Sequence, residues 1–163
     1  MAKEIIYVGD PMCSWCWGFS PVLKQIQQDY RKDAPLRLIV GGLHAFDTDP
    51  MNDQYKATIK HHWEQVAEAS GQPFNYAFFE REGFVLDTEP ACRATVVVRN
   101  MTPDVLLPFY ERIHMGYYVE DTDTTKLETF VDYAEKEGLD GSAFAAAFES
   151  EATKQETRDD FAW

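Results

Sequence analysis

Cations are scarce in this sequence: 15 Lys and Arg stand against 28 Asp and Glu, for a net charge of −13. No cluster of Lys or Arg could read a polyanion, which argues against nucleic acid or an anionic membrane as partner. Long apolar runs are missing too. Ile5-Ile6-Tyr7-Val8 is too short for the core of a secretory signal and is followed at once by Gly9-Asp10. No later run approaches the roughly 20 apolar residues of a membrane span. These absences predict a cytoplasmic chain with no membrane contact. Cysteine is also sparse. Cys13, Cys16 and Cys92 are too few for the disulfide framework of a small secreted domain, and a two-residue gap inside a cell points to redox or metal chemistry instead. Repeats, low-complexity tracts and long flexible linkers are absent as well. What is present is 45% hydrophobic and 14% aromatic residues in 163, enough for one good core.

Residues 4–8 read as a short buried strand that Gly9-Asp10-Pro11 cannot continue. From Trp15 to about Tyr30 the apolar residues Phe19, Val22, Leu23 and Ile26 recur at helical spacing, and Asp33-Ala34-Pro35 closes the segment. Leu36-Arg37-Leu38-Ile39-Val40 is the next strand, ended by Gly41-Gly42. Strand, helix and strand make a βαβ unit with parallel strands. After residue 50 the period turns helical and stays so. Tyr55, Ile59, Trp63 and Val66 share one helix face up to Gly71-Gln72-Pro73. Thr88 with Pro90, and then Thr102 with Pro103, read as helix starts. A further helix runs from about Thr125 to Gly138, a short one packs Phe144 and Phe148, and Glu151 to Trp163 begins another.

The pair Cys13-Ser14-Trp15-Cys16 falls at the junction of strand and helix. Cys13 just ahead of the helix and Cys16 in its first turn can close a small disulfide ring. The helix N-terminus offers unpaired N–H groups and partial positive charge, which favour a thiolate at Cys13. Cys13 is then the attacking sulfur, more exposed than Cys16 and with a pKa below the ordinary value of about 8.5. Cys16, one turn deeper, resolves the mixed disulfide. Pro21 should bend the helix. The alternative is structural zinc, which needs about four ligands. Only Cys92, His44, His61, His62 and His114 could complete a site, and none shows a second paired spacing. Strand before and amphipathic helix after favour the redox pair, so no metal and no cofactor is expected.

The run Asp10-Pro11-Met12-Cys13-Ser14-Trp15-Cys16-Trp17-Gly18-Phe19 resembles a bacterial group of DsbA-like proteins regarded as cytoplasmic protein-disulfide isomerases. Gly41-Gly42-Leu43, His62-Trp63 with Val66, Gly71-Gln72-Pro73-Phe74 and Asp87-Thr88-Glu89-Pro90-Ala91-Cys92-Arg93-Ala94 are similar to other blocks of that group. The resemblance implies an α/β fold, a thioredoxin-like βαβ unit interrupted by an all-helical insertion. Residues 1–48 would be the thioredoxin-like portion, 49–150 the insertion, and 151–163 the start of a helix returning to the first part. It implies a thiol–disulfide oxidoreductase acting on protein or small-thiol disulfides, with Cys13 and Cys16 as the pair and Pro11, Ser14, Trp15 and Trp17 about the substrate.

Three departures from the pattern matter. The buried acid that thioredoxins and DsbA carry six residues before the first Cys is Tyr7 here, so the proton of Cys16 needs another acceptor. Ser14-Trp15 lacks the His that helps to make DsbA strongly oxidising, which implies a milder potential. The fold also calls for a cis-proline and a strand after the helices. None of Pro11, Pro21, Pro35, Pro50, Pro73, Pro90, Pro103 or Pro108 is followed that way. The expectation is a chain that stops before the fold is complete, with one edge of Ile5–Val8 open to a second copy as a homodimer.

Bland readings compete at other residues. Trp15 and Trp17 could line a peptide surface, although Trp17 reads more readily as core. Cys92 is a third thiol or a small buried hydrophobe. His61 and His62 read as surface residues and Glu120-Asp121-Thr122-Asp123 as a helix-entry loop. Two other functions stay open: a non-catalytic peptide-binding or chaperone-like module, and a glutathione-dependent isomerase or transferase of the kappa type, whose branch carries serine where this chain has Cys13.

Overall fold

The computed structural model describes residues 3–163. Strand β1 covers Ile5–Gly9, helix α1 Ser14–Tyr30 and strand β2 Leu36–Val40. The strands are parallel, in register from Ile5 opposite Leu36 to Gly9 opposite Val40. α1 runs unbroken through Pro21. Six longer helices come after the sheet: α2 at Asp53–Ser70, α3 at Glu89–Met101, α4 at Leu106–Tyr118, α5 at Leu127–Lys136, α6 at Gly141–Glu149 and α7 at Glu151–Ala162. Among the described residues the sheet has two strands.

Local chemistry explains where these helices start. Asn52, Asp140 and Ser150 each accept a hydrogen bond from a first-turn N–H, those of Tyr55, Ala143 and Thr153, and so satisfy donors that the helix itself leaves free. Thr88 does sit at the start of α3, but its hydroxyl accepts from His44 N at 3.2 Å and ties the helix to the loop after β2. Thr102-Pro103 opens one 3₁₀ turn, Pro103–Val105, and α4 begins only at Leu106.

Helix α3 is the shared wall of two cores. Ala91, Ala94, Val97 and Val98 pack into an aromatic-rich cluster with Trp17, Trp63, Phe109, Phe130 and Phe144. Cys92 and Val96, on its other side, pack with Leu38 and Val40 of β2 and with Tyr110. Its β-branched and alanine side chains are small enough for close approach on both sides.

The strand read as buried is half open. Ile6 and Val8 are exposed, and so are Phe19 and Val22 of α1, while Leu23 points inward. Helical periodicity marks an apolar stripe correctly but does not tell which part of it is covered. Among the described residues only β2 pairs with β1, so the stripe runs past the core onto the surface.

At the far end of the chain α7 packs on α3 and β2. Arg99 donates to Leu38 O at 3.0 Å, to Asp160 Oδ2 at 2.6 Å and to Glu156 Oε1 at 2.7 Å. Asp160 Oδ2 also accepts from Val40 N. Gly42, in the left-handed region at φ 59°, would place a Cβ 2.6 Å from the Phe161 ring, so glycine is required twice over, for backbone and for space. The Arg99 and Asp160 side chains are 18% and 12% exposed, and a pair this sheltered is costly to break from one side. Arg99→Met should lower the free energy of unfolding in urea by about 3 kcal/mol, because it leaves the sheltered Asp160 charge without its cation and with only the Val40 N–H to hold it. A loss below about 1 kcal/mol would show the pair to behave like a surface one.

Candidate active site

β1 ends at Gly9, and the next residue, Asp10, ties the neighbouring loops together. It is 2% exposed. Its Oδ1 accepts from Met12 N at 2.8 Å, its Oδ2 from Leu43 N at 2.7 Å, and the Cys92 thiol lies 3.5 Å from Oδ2. One carboxylate therefore joins the loop before the cysteines to the loop after β2 and to α3. Burial pushes the Asp10 carboxyl up, against the lowering effect of these donors. Asp10 O also accepts from Cys13 N at 3.1 Å, which closes a turn.

Cys13 caps α1 with an extended backbone and no side-chain hydrogen bond to the first turn, and Trp17 N donates to its carbonyl at 3.1 Å. The first turn is held from outside as well. Trp17 Nε1 donates to Pro73 O at 3.0 Å, and Gln72 Nε2 donates to Trp17 O at 3.2 Å. Both cysteines are free and half-buried, Cys13 slightly less deeply than Cys16, so the expected contrast between an open Cys13 and a sheltered Cys16 is present in direction but small. Ser14 is half-buried and Trp15 is 53% exposed, whereas Pro11 is buried and Trp17 is 3% exposed. Pro11 and Trp17, expected about the substrate, therefore face the interior; the covering Gln72-Pro73 segment claims the Trp17 ring.

The two thiols titrate as one unit. Cys16 is lowered to about 6, first by the hydrogen bond from Cys13, against the opposing effect of burial, with a further hydrogen bond from Tyr7. Cys13 is pushed far up, first because it is the donor to Cys16, then by burial and by the charge on Cys16. The expected lowered pKa of Cys13 is thus corrected: with one proton between two sulfurs, the first ionisation is easy, the second is hard, and here the charge rests on Cys16. The backbone N–H of Cys16 lowers Cys13, as the helix start predicts, without closing a capping hydrogen bond, and this does not outweigh the rest. The negative Asp10 opposes ionisation of both.

The surroundings are aromatic. Tyr7, Val8, Trp15, Cys16, Phe19 and Val22 line an open, mainly apolar groove of about 630 Å³. Beneath the site α4 presents Tyr110, His114 and Tyr118, all buried. Burial lowers His114 to about 3, so it is neutral; its ring lies 5.8 Å from that of Trp17. Cys92 is fully buried, and burial pushes its thiol well up, which leaves it inert beside the pair. His61 and His62 are exposed, and among the described residues no three His, Cys, Asp or Glu side chains converge as metal ligands. Residue order alone does not single out Asp10, Tyr110 or His114. An acid lodged between an apolar strand and a cysteine pair is the available sign for the first; nothing distinguishes the other two from core aromatics.

Comparison with known proteins gives a consistent set of relatives. The DSBA-like thioredoxin domain family matches residues 4–162. A candidate protein disulfide isomerase from Nitrosomonas europaea superposes with a TM-score of 0.90 at 38% identity, over 96% of this chain and 75% of that one. The cytosolic disulfide reductase DsbM from Pseudomonas aeruginosa gives 0.80 at 27% identity, over 96% and 74%, and the same reductase with GSH gives 0.76 at 27%, over 94% and 75%. The ClpXP adapter protein SpxH from Halalkalibacterium halodurans is 24% identical over 163 residues, 96% of this chain and 52% of that protein. The chain thus spans about half the length of this curated relative.

The shared proton is directly measurable. Thiolate absorbance followed against pH should show one ionisation at about 6, with the second thiol still protonated well above that. Two thiols ionising together at about 8.5 would contradict it.

Proposed function

This chain belongs to the DSBA-like thioredoxin domain family and has the family's thioredoxin-like α/β fold with a helical insertion, and from that premise we propose that it is a thiol–disulfide oxidoreductase of the protein-disulfide oxidoreductase or isomerase type. The observation that carries the reading is a free, half-buried pair, Cys13 and Cys16, at the start of α1 beside an open apolar groove. In the reducing direction the Cys13 thiolate attacks one sulfur of a substrate disulfide. The substrate S–S bond breaks, the first thiol leaves with a proton, and Cys13 is joined to the substrate. The Cys16 thiolate then attacks Cys13 Sγ and releases the second thiol, leaving the Cys13–Cys16 disulfide. Two electrons and two protons pass from the pair to the substrate.

Cys13 as the attacking sulfur is supported by its place outside the helix, since a thiolate–thiol pair can exchange its proton before reaction. Cys16 as the resolving sulfur is supported by its place in the first turn. Substrates are disulfides of extended protein segments or small thiols; the exposed Trp15, the half-buried Ser14 and the apolar groove support the former, and the neighbouring reductase solved with GSH supports glutathione as one small thiol. The cytosolic setting of that reductase supports a cytoplasmic location. No helix among the described residues is long and apolar enough to cross a membrane. The charge of −13 supports partners other than nucleic acid.

A second reading, a peptide-binding module without turnover, is favoured by the exposed groove and by the adapter among the relatives. Reduction of insulin by glutathione separates the two. Turnover should fall at least about a hundredfold in Cys13→Ser, and Cys16→Ser should trap a mixed disulfide at Cys13. Equal turnover in the wild type and Cys13→Ser would leave only the binding reading, and a trap at Cys16 in Cys13→Ser alone would reverse the two roles.

The unpaired edge of β1, with Ile6 and Val8 exposed, supports a homodimer formed through that edge. Sedimentation should then show a dimer that Val8→Lys disperses. A monomer at high concentration excludes it.

A further inference from the structure

We propose that the loop leaving β2 is a specificity-determining surface, on which Leu43 and Phe46 receive an apolar side chain, and Asp47 and Asp49 the neighbouring Lys or Arg, of an extended polypeptide that reacts at the cysteine pair. The inference rests on the oxidoreductase reading given above and narrows its substrates.

Phe46 occupies a position that suits other residues better. Its φ is 68°, in the left-handed region that a bulky side chain seldom adopts, and its ring is 57% exposed. Glycine would relieve the backbone, and a polar side chain would suit the solvent. The loop nevertheless holds the ring in place. Phe46 N donates to Asp87 Oδ1 at 2.8 Å, and Ala45 N and Asp47 N close consecutive turns onto Gly42 O at 3.1 Å and His44 O at 3.3 Å. His44 is fixed as well: its N donates to Thr88 Oγ1 at 3.2 Å and its Nδ1 lies 3.0 Å from the Tyr55 hydroxyl. Phe161 meets the Phe46 ring edge-on at 6.1 Å and 74°, which covers one side and leaves the rest open. Leu43, in the same turn, is 58% exposed. An apolar pair pinned outward by so many hydrogen bonds is a preformed surface, with little ordering left to do when a partner arrives.

Asp10 sets the position of this surface relative to the cysteines. One of its carboxylate oxygens holds Met12 N, next to Cys13, and the other holds Leu43 N. The residue before Cys13 and the first residue of the apolar pair are therefore one carboxylate apart. A polypeptide joined to Cys13 through its own cysteine passes the loop within a few residues, at roughly 3.3 Å for each extended residue, whereas a small disulfide has no chain to reach Phe46. The charges of the loop complement a basic segment. Asp47 and Asp49 are exposed, and residues 41–53 hold no Lys or Arg. Among the described residues the ionic partner of Asp47 is His44, at 3.6 Å, and Asp49 has none. An apolar side chain flanked by Lys or Arg matches such a surface in both respects, and one flanked by Asp or Glu is repelled.

The test compares two mixed disulfides that release the same chromogenic aromatic thiol: one formed with the cysteine of a peptide that carries Phe and Lys beside it, the other with free cysteine. Phe46→Gly suits the backbone and keeps the N–H that Asp87 holds, so stability in urea should not fall. The second-order rate of thiol release from the peptide should drop about tenfold, as for loss of one apolar contact, and that from free cysteine should stay within about twofold. Leu43→Ala should act in the same direction by a smaller factor. Exchanging the Lys of the peptide for Glu should slow wild type about threefold at low ionic strength, and the difference should shrink in about 0.5 M salt. An unchanged peptide rate in Phe46→Gly overturns the proposal. So does an equal loss on both substrates together with lower stability, which would give Phe46 to the packing of α7 instead. A dimer that Phe46→Gly disperses would make the occupant a second copy of the chain and overturns it too. Failure of the oxidoreductase reading looks different, since wild type then releases thiol from neither substrate faster than Cys13→Ser does.

Discussion

The arrangement of the site depends on one buried carboxylate. Asp10 satisfies the backbone of Met12 and of Leu43 at once, in the two loops that leave the parallel strands β1 and β2 at the same end of the sheet. Removing either donor would leave a charge in an interior that solvates it poorly, so the two loops are held in place by the cost of separating them from it. Its electrostatic effect has the opposite sign to that of the helix start. Helix N–H groups and the partner thiol favour a thiolate, whereas Asp10 disfavours it, and the balance leaves one sulfur easily ionised and the other not. Since stabilising the thiolate stabilises the reduced form, an interior anion beside the pair works toward the reducing end of the thiol–disulfide scale.

Helix α3 lets that local constraint reach the rest of the molecule. Its Cys92 faces Asp10 and β2, while Ala94 and Val98, on the other side, face the aromatic core that also contains Trp17 from the first turn of α1. The cysteine pair is thereby referenced to both cores, through Asp10 on one side and Trp17 on the other. Inert thiol that it is, Cys92 serves as a small packing residue beside the carboxylate, 3.5 Å from its Oδ2.

Much of this is readable in residue order. The βαβ unit announces itself through two apolar pentapeptides and the helical period between them, and the cysteine pair through its place at the strand–helix junction. Helix starts at Asn52, Asp140 and Ser150 reflect short polar side chains with local targets. The features that escape are non-local. Asp10 looks like a turn residue because its partners Leu43 and Cys92 are 33 and 82 positions away. Tyr7 stands out only as a missing acid, since its place in one groove with Cys16 depends on how a strand and a helix face each other. Phe19 and Val22 fit the helical period yet lie on the surface, because period reports a stripe and says nothing about what covers it. The lowered pKa expected at Cys13 fails for a related reason: a helix end considered without the second thiol omits the larger effect.

The docking of α7 bears on the order in which the molecule assembles. Val40 N and Asp160 Oδ2 are joined across 120 positions, and Phe161 closes over Gly42 from the same helix. Contacts among the middle helices are far shorter in sequence and form without that entropic delay. The aromatic core can therefore assemble while β2 still lacks its cover, and Gly42, next to the Asp10 partner Leu43, is covered only when α7 arrives. During synthesis the cysteines leave the ribosome long before that helix does, so a nascent chain carries two accessible thiols until the loop that orders their surroundings is fixed.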